Sequence, residues 1–205
     1  MKKLIAFLFI SHSILCFSID KPMRLSYVTS FNLNTLKSVN NLRWYQFGVE
    51  GLNYSTGIKL NYDLFNNHFN VSMATLFSKT TYLSKSIDFD SIVPFVNFNS
   101  GYFQIPITIG WMPIHEYNFS MSIPLGVVPS FLVTSKTREA IENQPITTFK
   151  SLIGFQAGID LNYTKNRKLV LSLQPNYVYY PKGFDSIEKQ QGHTFQLFFG
   201  VGYMF

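Results

Sequence analysis

The sequence predicts an all-β chain: a transmembrane antiparallel up-and-down β-barrel of about eight strands, preceded by a cleaved signal peptide. Three observations carry that expectation. Apolar and polar residues alternate with period two in segment after segment. The connections between those segments are alternately short and long. The composition is rich in aromatics, at 17% of the chain, and poor in charge, at 14%, where an ordinary globular protein has about a quarter of its residues charged. No uninterrupted apolar run reaches the ~20 residues that a membrane-spanning helix needs. Alternation instead suits a wall with lipid outside and a polar interior. A soluble β-sandwich is the competing fold, and it gives no reason for the rhythm of the connections.

Residues 1–18 read as the signal peptide and 19–205 as the barrel. Lys2 and Lys3 precede the apolar stretch from Leu4 to Ile10, and the Cys16-Phe17-Ser18 segment has small residues where a signal peptidase reads them. Cleavage is therefore placed near Ser18. The rival reading, lipidation of Cys16, meets Leu15 directly before it, which is too bulky for the usual lipoprotein signal. Cys16 is the sole cysteine, so the mature chain would lack disulfides, cysteine nucleophiles and thiolate metal sites. The net charge of +6 falls by two with Lys2 and Lys3. The remaining cations are scattered and form no basic stripe, so nothing supports nucleic-acid binding.

The strands follow in order. The first, near Arg24–Leu33, puts Leu25, Tyr27, Phe31 and Leu33 on one face. In the second, Ile58, Leu60, Tyr62 and Leu64 alternate with Gly57, Lys59, Asn61 and Asp63. The third alternates from Phe69 to Phe77, the fourth from Phe103 to Trp111, the fifth from Phe119 to Val127, the sixth from Ile153 to Leu161 and the seventh from Leu169 to Tyr177. The last is the clearest. Phe195, Leu197, Phe199, Val201, Tyr203 and Phe205 occupy every second position, so one face of that strand is wholly apolar.

Three connections are short: Phe65–His68, Pro113–Asn118 and Thr164–Arg167. Those near Asn34–Arg43, Leu83–Phe98, Ser135–Thr148 and Pro181–Gly192 are longer and more polar. Eight strands that start and end in the periplasm give this order, with short turns there and long loops outside. Pro106, Pro124, Pro129 and Pro175 fall inside the expected strands, and each calls for a bulge or a gap because proline cannot donate to a ladder. Trp44–Tyr54 alternates poorly and is left between strand two and the first loop.

Several of these segments resemble the PorT-like outer-membrane β-barrel family of Bacteroidota. Tyr102-Phe-Gln-Ile-Pro-Ile107 looks like the family's aromatic-x-x-Ile-Pro-Leu strand, and Ile123-Pro-Leu-Gly126, Ile153-Gly-Phe-Gln-Ala-Gly158 and Phe199-Gly-Val-Gly-Tyr-Met-Phe205 match further pieces. The resemblance runs from about Tyr54 to Phe205; the N-terminal third lacks the family's glycine-rich opening strand. It implies localisation in the cell outer membrane and tolerance of Pro106 within a strand. The terminal aromatics Phe199, Tyr203 and Phe205 also look like the signal read by the barrel-assembly machinery.

Little in the chain looks like chemistry. His68 and His115 fall at expected periplasmic turns and His193 at the opposite rim, so they cannot share a metal or a nucleophile. His193 with Asp185 or Glu188 and Ser186 has the residue types of an outer-leaflet lipid hydrolase, but no motif orders them. Arg24, Lys59, Asp63 and Asp160 are the inward charges. They are expected to form structural networks, because an isolated buried charge is costly; Arg24 and Asp63, on adjacent strands, are expected to pair. No catalytic residue, metal site or cofactor is assigned. The expectation is a monomeric structural or interaction protein, not an enzyme, acting through its loops among outer-membrane lipid. Secretion-system or surface proteins are its possible partners. The alternatives are a narrow channel or accessory of a secretion or transport system and, third, an outer-leaflet lipid-modifying enzyme.

Overall fold

A computed structural model describes residues 23–38, 53–64, 68–88, 91–116, 118–138, 150–166, 168–182 and 190–205. The expected signal peptide and its cleavage site lie outside them, as do most of Trp44–Tyr54 and the residues Asp185, Ser186 and Glu188. The described chain forms β1 (Met23–Ser38), β2 (Tyr54–Leu64), β3 (Phe69–Asp88), β4 (Ser91–Gln104), β5 (Ile107–His115), β6 (Phe119–Arg138), β7 (Ser151–Gly158), β8 (Asp160–Lys165), β9 (Leu169–Tyr180) and β10 (Gln190–Met204). All pairings are antiparallel, and β10 pairs with β1, which closes the ring. β4 and β5 lie end to end between β3 and β6, and β7 and β8 lie end to end between β6 and β9. Ten strands therefore make eight staves.

The interruptions sit at prolines or opposite them. In an antiparallel ladder a residue's N–H and C=O face the same neighbour, so a proline loses one bond and keeps the other. The Pro106 carbonyl accepts from the Ala74 N–H at 2.9 Å and that of Pro129 from Ile105 at 2.9 Å. The Pro175 carbonyl accepts from Ile159, the residue between β7 and β8, at 3.0 Å. A register shift between Trp111 and Ile114 takes up Pro113. The wall stays closed with single missing donors, as the sequence required.

Alternation in the sequence becomes alternation of environment. Phe31, Ile58, Ile109, Leu125, Ile153, Val201 and Tyr203 are exposed on the outside, while Val28, Lys59, Thr108, Gln156 and Gln196 are buried inside. An apolar exterior this extensive needs a lipid solvent. The ends of β2, β5 and β8 and the starts of β3, β6 and β9 share one end of the barrel with Met23 and Phe205. Asn166, directly after β8, takes a left-handed φ of 53°, a conformation asparagine tolerates better than most residues.

One expectation is corrected. The segment Leu83–Phe98 is not a loop: β3 runs to Asp88 and β4 begins at Ser91, with Leu83 opposite Asn97. The other loops are also trimmed, since β1 reaches Ser38, β6 reaches Arg138 and β10 begins at Gln190. The cause is physical. Period-two patterning reports two different solvents on the two faces, whereas the hydrogen-bond ladder needs none. Beyond the bilayer both faces can meet water, so a ladder continues there without its signature.

Candidate functional site

Among the described residues, the inner face is where ionisable groups gather away from bulk water. Parity points Arg24, Lys59, Asp63 and Asp160 inward, and all four are buried there. They lie toward the turn end, on β1, β2 and β8. Lys59 crosses the lumen: its Nζ donates to Asp160 Oδ2 at 2.8 Å and to Gln174 Oε1 at 3.0 Å. The stave holding β8 is four places from β2 whichever way the ring is followed, so this contact spans the barrel. Arg24 stands opposite Asn61 in register, with Asp63 one inward step along. The two are therefore diagonal neighbours on adjacent strands, both on the inner face. The charge of Arg24 acts on Lys59, Asp63 and Asp160 alike. Arg24 Nε, Asp63 Oδ1 and Asp160 Oδ1 have no hydrogen-bond partner among the described residues.

Above the ion pair lies an apolar cluster of Val28, Ala74, Leu76 and Phe198. Between the two lies a cavity of about 20 Å³, lined by Lys59, Thr108, Gln156, Asn176 and Phe198 among others. Further toward the loop end Gln104 Nε2 donates to the Tyr180 hydroxyl at 3.0 Å and to Ser130 Oγ at 3.3 Å. On the opposite wall Ser30 Oγ donates to Asn32 Oδ1, Asn32 Nδ2 to Ser55 Oγ and Ser55 Oγ to Ser78 Oγ, at 2.7, 2.8 and 3.0 Å. Among the described residues, side chains of moderate size thus occupy the interior in successive layers.

The histidines stay apart. His68 and His115 are exposed near the turn end. His193 sits on the outer wall near the other rim, where its Nδ1 hydrogen-bonds the Tyr177 hydroxyl and its ring packs against Tyr179, centroids 5.3 Å apart. Among the described residues no three His, Cys, Asp or Glu could hold a metal ion. Phe199, Tyr203 and Phe205 all face outward, and Tyr203 meets Phe205 edge to face with centroids 5.1 Å apart. Sequence reasoning missed the cross-lumen contact and the Ser-Asn ladder. Inward parity was the available signal for both; the partners follow from barrel shear, which no local pattern encodes.

No family model matches the chain, and no curated protein matches it in sequence. Solved structures do. A major outer membrane protein from Thermus thermophilus aligns over 89% of this chain and 99% of its own, at 12% identity and TM-score 0.54. OprG from Pseudomonas aeruginosa covers 90% and 95%, at 12% identity and TM-score 0.50. The Neisserial surface protein A covers 87% and 96%, at 9% identity and TM-score 0.50. At such identities the likeness is one of fold. The chain is a small antiparallel β-barrel of the bacterial outer membrane.

Proposed function

We propose that this barrel is a closed structural and interaction protein, neither porin nor enzyme, that meets its partners outside the cell through its loop end. The observation that carries the reading is the filled lumen. An ion pair crosses it, an apolar cluster lies above, and the cavity between them is only about 20 Å³. Aqueous channels belong to barrels of about 16–18 strands, whereas about eight strands leave an interior that side chains can fill. The short turns are assigned to the periplasm by the usual rule for such barrels. Kinship with PorT-like barrels remains part of the proposal; it is supported by the Ile105-Pro106 break, which keeps the wall closed where the family motif puts proline. Phe199 and Tyr203 on the outer face of β10, with the exposed Phe205 directly after it, support reading by the barrel-assembly machinery.

Planar-bilayer recording of the purified chain tests closure. The expected result is no stable open state. A reproducible open level in the porin range would replace this reading with the channel or transport-accessory one. Affinity capture from intact membranes, with residues 139–149 exchanged for a short Gly-Ser turn as the control, tests the loop assignment. Capture that survives removal of each loop in turn would overturn it.

A further inference from the structure

We propose that the cavity between the ion pair and the apolar cluster binds a single ordered water, which bridges the Lys59 ammonium to the Asn176 side chain. The ammonium has three N–H donors, and two are spent on Asp160 and Gln174. Asn176 is 3% exposed, and its Oδ1 has no partner among the described residues. Both residues line the same cavity of about 20 Å³. One donor lacks an acceptor and one acceptor lacks a donor, so a water accepting from Lys59 and donating to Asn176 completes both.

Size and polarity select the ligand. A water needs a cavity of roughly 10–15 Å³ on this measure, so the site has room for one. A metal cation would sit against the Lys59 ammonium. An anion would face the unpaired Asn176 oxygen beside a lysine already neutralised by Asp160. Gln156 and the hydrogen-bonded Ser72–Thr108 hydroxyls, 2.6 Å apart, offer an oxygen for the water's second hydrogen. Val28, Leu76, Pro106, Pro124 and Phe198 supply the apolar walls. The contact between β2 and β8 thereby gains a second, water-mediated arm onto β9.

The inference does not depend on what the loop end binds. Its test uses the whole chain in lipid nanodiscs, with magnetisation transfer from water to the Asn176 side-chain amide and the Val28 methyls. A cross-peak with the sign of a long-lived bound water is expected, and Asn176→Leu, which fills the cavity, should abolish it at Val28. No such peak in the parent chain would overturn the proposal, as would a Val28 peak that persists unchanged in Asn176→Leu. If that variant does not fold, the parent measurement decides alone.

Discussion

Replacing Lys59 with methionine tests whether the cross-lumen ion pair holds the barrel together. The change keeps most of the side-chain length and removes the charge, along with the bonds of 2.8 Å to Asp160 and 3.0 Å to Gln174. Asp160 is 2% exposed and its Oδ1 already lacks a hydrogen bond, so the variant strands a buried carboxylate. Removing one partner of a buried pair costs about 3–5 kcal/mol. Here Arg24 still acts on Asp160, which argues for the lower end, about 3 kcal/mol, or roughly a hundredfold in the folding equilibrium. Asp160→Leu combined with Lys59→Met should recover most of that loss, because apolar replacement of both partners is often neutral or stabilising. The assay is reversible urea unfolding in lipid vesicles, followed by tryptophan emission, to which Trp111 on the outer wall contributes, and by heat-modifiable gel mobility. Unfolding of Lys59→Met within about 0.5 kcal/mol of the parent, the range of a neutral surface change, would refute the reasoning. So would a double variant as unstable as the two single changes added together.

Three further outcomes are expected. Cysteines at Asp90 and Gln144 should label with an impermeant reagent on intact cells, while one at Asn166, in the short turn after β8, should not; the reverse pattern would invert the topology. Gly126→Ala should cost about 1–3 kcal/mol by overpacking, because its Cβ would lie 2.0 Å from the Ile107 carbonyl oxygen; unchanged urea unfolding would show that the two strands part freely. Phe205→Ala should lower the amount of heat-modifiable barrel in the outer membrane without stopping export to the periplasm, and normal levels would reduce Phe205 to an ordinary interface aromatic.

The legible part of the fold was the part where two solvents meet. From Phe69 to Phe77 and from Phe195 to Phe205, lipid on one face and a filled lumen on the other force a strict alternation, and the strands lie where that alternation runs. From Leu83 to Phe98 the ladder continues without the contrast, and the segment read as a loop. The candidate site was legible in the same limited sense. Parity alone sets Lys59 and Asp160 on the inner face, but their partnership depends on how far the strands slide as the ring closes. With Ser26 opposite Lys59, and Asp160 opposite Ser122, the Lys59 side chain ends level with Asp160 only because the strands are tilted. That tilt belongs to the whole barrel and to no segment of the sequence.

The unequal staves bear on where function can reside. β2 has 11 residues, about what a tilted strand needs to cross a membrane, whereas β3 and β6 have 20 each. At about 3.3 Å per residue and a tilt of about 40°, 20 residues rise about 50 Å, roughly twice the ~25 Å apolar band of such barrels. β3 and β6 start at Phe69 and Phe119, near the opposite rim, so the surplus must project at the loop end. There β3, β4 and β6 stay hydrogen-bonded as far as Asp88–Ser91 and Asn97–Arg138. Among the described residues, the buried inward ionisable groups are two basic and two acidic side chains, Arg24 and Lys59 with Asp63 and Asp160. Under the reading proposed above, a filled shaft beneath a raised three-stranded edge would hold a surface at a fixed height above the lipid.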